Sequence, residues 1–221
     1  MKTYLLPAVT AVLCLISWWL MVHDIDVHGL GKEDAAKPSK RLIVIYAVVM
    51  ILLTEGAAVM FLLVYKDVSI WTALKRLTLL SVIWPIALID LKSYRIPNAF
   101  IIYGLVCRAV LLLLELLFGE IGVWQTLLTE VVAAAALLIA ALLCSLLIKN
   151  SIGFGDIKLF VIMGMLLGTD AIWGAIFLSL LVSFVIAAVA LITKRKTRKD
   201  VIPFGPALVI GTFLSVYLTG M

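Results

Sequence analysis

Residues 151–169 read SIGFGDIKLFVIMGMLLGT. From Ile157 onward the run is apolar, yet Asp156 stands at its mouth behind Gly153 and Gly155. A carboxylate is costly in hydrocarbon, and two glycines weaken a helix. Both demand a reason if the run enters a membrane.

The rest of the chain says that it does. Of 221 residues, 65% are hydrophobic and 14% charged; a soluble domain is nearer half and a quarter. A membrane helix needs about 20 apolar residues. Strong runs occupy roughly 3–22, 42–65, 98–118, 124–148, 171–192 and 201–219. Two shorter runs lie at about 74–90 and 157–169, each bounded by an aspartate. The expected fold class is therefore all-α, a polytopic membrane protein of about eight transmembrane helices. The N-terminal run lacks a small-residue cleavage site after it and reads as a retained span rather than a signal peptide.

Basic residues support this layout. With alternating loops, thirteen Lys and Arg residues fall on one side, in 23–41, 91–97, 149–158 and 193–200. Lys2, Lys66, Lys75 and Arg76 fall on the other. Positive loops favour the cytoplasm, which places both termini outside. The net charge of +5 is thus read as loop charge, with no nucleic-acid partner. Cys14, Cys107 and Cys144 are isolated in apolar runs and read as buried structural thiols. The six tryptophans, Trp18, Trp19, Trp71, Trp84, Trp124 and Trp173, mostly lie near span ends and suit an interfacial belt.

This topology puts Asp90, which ends the third run, at the same face as Asp156, 66 positions later. Each alone reads equally well as a helix-end aspartate. Asp90 stands in ALIDLKSYRIPNAF, where the helix dipole disfavours it. Pro97 then makes Ile96 extended, Asn98 is a candidate N-cap, and 91–97 reads as a tight re-entry turn. Asp156 would lie in the first turn of its helix with Lys158 as the local counter-charge. Two intramembrane carboxylates at one depth suggest a shared site. They cannot both ionise easily and would share a proton. That suits peptide hydrolysis, with one carboxylate as general base on water and the protonated one as acid.

GFGDIKLF, preceded by DLKSYRIPN and followed by IPFGP at 202–206, resembles the type IV prepilin peptidase family of GxGD aspartyl proteases. The three motifs occur in order, and the resemblance covers roughly 74–219. It implies Asp90 and Asp156 as the catalytic dyad, at the cytoplasmic ends of two helices. Its substrates would be pilin-like precursors with a short basic leader and an apolar helix, cut at the cytoplasmic membrane surface of a prokaryote. No metal or organic cofactor is implied. The chain then divides into two N-terminal spans with a short cytoplasmic loop (1–73) and the GxGD membrane domain (74–221). Gly153 and Gly155 would let the backbone beside Asp156 open to substrate and water. Pro203, Gly205 and Pro206 would form a rigid entry to the last span, beside the site or simply as a helix start.

Many family members carry a cysteine-rich domain between the first two spans, associated with N-methylation. Here that loop is VHDIDVHGLGKEDAAKPSK, without cysteine, so peptidase activity without methylation is expected. Its His23, Asp24, Asp26 and His28 are metal-ligating types, but the histidine spacing is not that of a helical ligand pair, and a solvated loop is the simpler reading. Asp200, Glu33 and Asp34 are candidates for contacting a basic leader. Glu55, Arg108, Glu115 and Glu130, within or near spans, motivate a rival reading as a small ion-coupled transporter. Arg108 and Glu115 are two turns apart and can pair. A catalytically inactive scaffold of a pilus or secretion assembly is the third reading. Gly164 and Gly168 fit close helix packing.

Overall fold

The computed structural model describes residues 2–29, 40–118, 122–147, 153–194 and 203–220, which form helices and no strand. In chain order these are α1 (Lys2–His28), α2 (Lys40–Leu63), α3 (Ile70–Ser93), α4 (Asn98–Leu117), α5 (Val123–Leu147), α6 (Phe154–Ile192) and α7 (Gly205–Thr219). The first six are long and apolar enough to cross a membrane; α7 is a shorter apolar helix. The protein is a polytopic helical membrane protein.

The third run, short by hydropathy, is the centre of the bundle. Helix α3 packs against α1, α2, α4, α6 and α7, and its most apolar window is 94% buried, against 11% for that of α6. A helix that touches protein rather than lipid can carry polar groups that an outer helix cannot. This explains why its hydropathy reads marginal. Ser69 caps its start, accepting the Thr72 N–H at 3.1 Å. Helix α3 therefore begins at Ile70, and Lys75 and Arg76, expected in a loop, are buried inside it. Trp84, expected at an interface, is fully buried in the core. The Tyr46 hydroxyl of α2 donates to its carbonyl at 2.7 Å, beside Pro85.

Helix α6, at 39 residues, is about 58 Å long at 1.5 Å per residue, nearly twice a bilayer core. It holds two of the expected runs, and it breaks where they meet. Gly168 has φ 67° and ψ −176°, a conformation essentially restricted to glycine. Gly168 is thus a break point, and it also lies against α5, where a Cβ would stand 3.4 Å from Thr129 Oγ1. Gly164 does pack as expected: a Cβ there would stand 2.6 Å from the Ala134 backbone of α5.

Two further expectations need correction. Helix α1 continues through His28, so His23, Asp24, Asp26 and His28 are helical rather than in a solvated loop. Of the cysteines, only Cys14 is buried; Cys107 is half-buried and Cys144 exposed, the latter on a helix that shows one face outward.

Candidate active site

The site is built where the C-terminal end of α3 meets the N-termini of α6 and α7. Asp90 is 7% exposed. Its backbone carbonyl accepts the Tyr94 N–H at 2.9 Å, closing α3 as Tyr94 turns left-handed with φ 51°. Its carboxylate is bound elsewhere. The Gly205 N–H donates to Asp90 Oδ2 at 2.8 Å. Gly205 is the first residue of α7, so Asp90 satisfies one of the donors a helix N-terminus leaves unpaired. The positive end of the α7 dipole faces it.

Gly205 is required by closeness. A Cβ there would stand 2.8 Å from Asp90 Oδ2 and 3.0 Å from Asp90 Cβ. Its neighbours hold it in place. Pro206 lies in the first turn of α7, where its fixed φ suits a helix start. Phe204 meets Phe160 of α6 edge to face, with centroids 5.8 Å apart. Pro203 precedes them, half-buried. Residues 203–206 therefore both lead into a helix and touch the site.

Asp156 is half-buried in the first turn of α6. The Gly153 N–H is directed at its carboxylate, the reach-back half of a capping box. Asp90 lies within electrostatic range of it. The two carboxylates thus stand within electrostatic range of each other, Asp90 bonded to the Gly205 N–H and Asp156 facing the Gly153 N–H. The glycines achieve this without an opened backbone. Gly153 is extended, with φ −70° and ψ 145°, and α6 is helical from Phe154. Gly155 instead admits the Ile96 side chain: a Cβ there would stand 2.9 Å from Ile96 Cβ.

The turn expected at 91–97 is shorter, because α3 runs to Ser93. Pro97, rather than Asn98, takes the N-cap position of α4 and caps no N–H through its side chain. The Asn98 Oδ1 accepts from Lys158 Nζ at 2.9 Å, joining α4 to α6. Lys158 also lies over the Phe154 ring, 5.9 Å from its centroid. It is not the counter-charge of Asp156, which has no ion pair among the described residues.

One support was missed. Arg95, in the turn between α3 and α4, forks onto Asp24 of α1, with Nη2 to Oδ2 at 2.6 Å and Nη1 to Oδ1 at 3.3 Å. His28 Nδ1 lies 3.2 Å from the same carboxylate. The first helix thereby braces the segment that carries Ile96 to Gly155. Arg95 stands inside the quoted DLKSYRIPN stretch, but nothing in its spacing pointed to Asp24. The candidates Glu33, Asp34 and Asp200 lie outside the described residues.

Glu55 lies on α2, away from this end. Arg108, Glu115 and Glu130 form a separate cluster with Lys75. Arg108 Nη1 lies 3.2 Å from Glu115, and its Nη2 lies 2.6 Å from Glu130. Lys75 Nζ lies 2.7 Å from Glu130 and 3.3 Å from Glu115. The expected Arg108–Glu115 pair is thus half of a four-membered network joining α3, α4 and α5.

Residues 77–192 match the model of the type IV leader peptidase family. A prepilin leader peptidase/N-methyltransferase of Bacillus subtilis (strain 168) is 31% identical over 141 residues, 64% of this chain and 54% of that protein. The chain thus spans about half the length of the curated relative it matches. No solved structure matches it significantly.

Proposed function

The chain belongs to the type IV leader peptidase family, and on that premise we propose that it is a membrane-embedded aspartyl endopeptidase. It removes the leader from type IV prepilin-like precursors, pilins or pseudopilins, at the cytoplasmic surface of the inner membrane. The observation that carries this reading is the convergence of Asp90 and Asp156 on glycine N–H groups at adjoining helix N-termini.

In this mechanism the carboxylates share one proton. The ionised partner takes a proton from water as the water oxygen bonds to the scissile carbonyl carbon. The protonated partner donates to the carbonyl oxygen, and the C–N bond then breaks as the first partner passes its new proton to the amine nitrogen and a hydroxyl proton of the diol returns to the second. The leader leaves with a new carboxylate and the pilin with a free amine. Gly205, Gly153 and the Ile96–Gly155 contact hold the pair in place.

The expectation of no N-methylation, a departure from many family members, belongs to the same proposal, supported by the short first loop without cysteine. The transporter reading loses most of its motive, since Lys75 and Arg108 together balance the charge of Glu115 and Glu130.

The test is coexpression with a prepilin, reading cleavage as a shift to a shorter band. Asp90→Asn and Asp156→Asn should each abolish the shift. Cleavage that persists in either variant, or never occurs in the wild type, overturns the reading. Mass spectrometry of the mature N-terminus, in a host without another such enzyme, checks methylation.

A further inference from the structure

At the other end of α3 lies a second polar site with no part in the chemistry above. Arg76 is 14 residues before Asp90, about 21 Å along the helix at 1.5 Å per residue. It lines a cavity of about 440 Å³ together with Thr72, Lys75, Gln125, Thr126 and Asp170. Arg76 is only 8% exposed, and its Nε and Nη1 are buried with no hydrogen-bond partner. One face of the guanidinium covers the Phe61 ring, 6.0 Å from the centroid.

The surrounding charges leave Arg76 over. Lys75 and Arg108 are matched by Glu115 and Glu130 within the four-membered network. Asp170 is exposed; its Oδ1 accepts from the Thr169 hydroxyl at 3.1 Å, and it acts on Arg76 only through its field. A buried guanidinium with two free N–H donors is costly unless an acceptor meets it. The Nε–H and the Nη1 N–H leave different edges of the guanidinium, so an oxyanion would be met by a single charge-assisted bond from one of them. Gln125 and Thr126, at the exposed mouth, offer further donors to a group with more than two oxygens.

We propose that this cavity binds a phosphate group, held by a charge-assisted bond from the Arg76 guanidinium. A span boundary is where lipid phosphodiesters lie, and a lipid headgroup or free phosphate would present the same oxygens. Binding is read without cleavage, so the proposal stands or falls apart from the peptidase reading.

The test is thermal melting of the purified protein in detergent. It is titrated with dihexanoyl phosphatidylglycerol, with inorganic phosphate and with neutral dihexanoylglycerol. A ligand of the folded state raises Tm saturably. The wild type should respond to one or both phosphates and not to the neutral lipid. Saturation at lower phosphatidylglycerol than phosphate identifies a headgroup site; a response to phosphate alone identifies the free anion. Arg76→Gln should weaken binding about 10- to 100-fold, the worth of a charge-assisted contact. Asp170→Asn, at an exposed position, should tighten it up to about fivefold by removing an opposing charge. No saturable response in the wild type, an Arg76→Gln response equal to wild type, or an Asp170→Asn response no tighter than wild type, each overturns the proposal and leaves the cavity to water.

Discussion

Gly205→Ala is the smallest change that reaches the proposed dyad without altering a carboxylate. Gly205 already has helical geometry at the start of α7, so alanine is compatible with the backbone. The difficulty is space. The new methyl would stand 2.8 Å from Asp90 Oδ2, 3.0 Å from its Cβ and 3.2 Å from its Cγ. Three contacts inside normal separation cannot be relieved by one rotation, because Asp90 is itself buried in the central helix. Either the carboxylate turns away or the start of α7 withdraws, and both break the 2.8 Å bond from the Gly205 N–H. A hydrogen bond to a charged group is worth about 1.5–3 kcal/mol. If it holds Asp90 in its working position, kcat/KM should fall about 10- to 100-fold. The assay is cleavage of a purified prepilin in detergent, following precursor and mature bands with time. Melting is measured in parallel, since crowding a packed site costs about 1–3 kcal/mol on its own. A folded Gly205→Ala protein cleaving within about twofold of wild type would refute the role given to this contact.

Three further outcomes follow from the packing. Asp24→Asn should weaken the brace on Arg95 and lower stability by about 1–3 kcal/mol; the double exchange Asp24→Arg with Arg95→Asp should recover part of the melting temperature. Gly168→Ala should destabilise by about 1–3 kcal/mol, because its positive φ is strained for any side chain, and denaturant or thermal melting reads this directly. Glu130→Gln should be the most damaging change in the buried network, by about 3–5 kcal/mol, since Glu130 makes both of its 2.6–2.7 Å contacts. Glu115→Gln, whose contacts are 3.2–3.3 Å, should cost less, and the two melting temperatures compare them.

The membrane class and the nearness of the two aspartates were legible because hydropathy and rare intramembrane charge are local signals. The positions of the outer helices followed from the same signal, since their faces meet lipid. Helix α3 was harder. Its wrapping by five neighbours relaxes the demand for apolar residues, so Lys75 and Arg76 read as a loop although both lie inside it. The reach of α1 through His28 was hidden for a similar reason: its polar last turns are stabilised by Arg95, 71 residues away. Lys158 looked like the partner of Asp156 because only sequence distance was visible; in space Asn98 is the group it reaches. The glycines of GFGD invited a reading of looseness, whereas their geometry shows ordinary backbone and tight approach.

The network of Lys75, Arg108, Glu115 and Glu130 also bears on how the protein is made. A helix emerging from the ribosome with Lys75 and Arg76 in its first turns has no carboxylate of its own nearby to offset them. Both acids that neutralise Lys75 are translated 40 to 55 positions later, on α4 and α5. Helix α3 therefore settles into hydrocarbon as part of a three-helix group rather than singly, and a nascent chain halted before Glu115 would hold its central helix poorly in the bilayer.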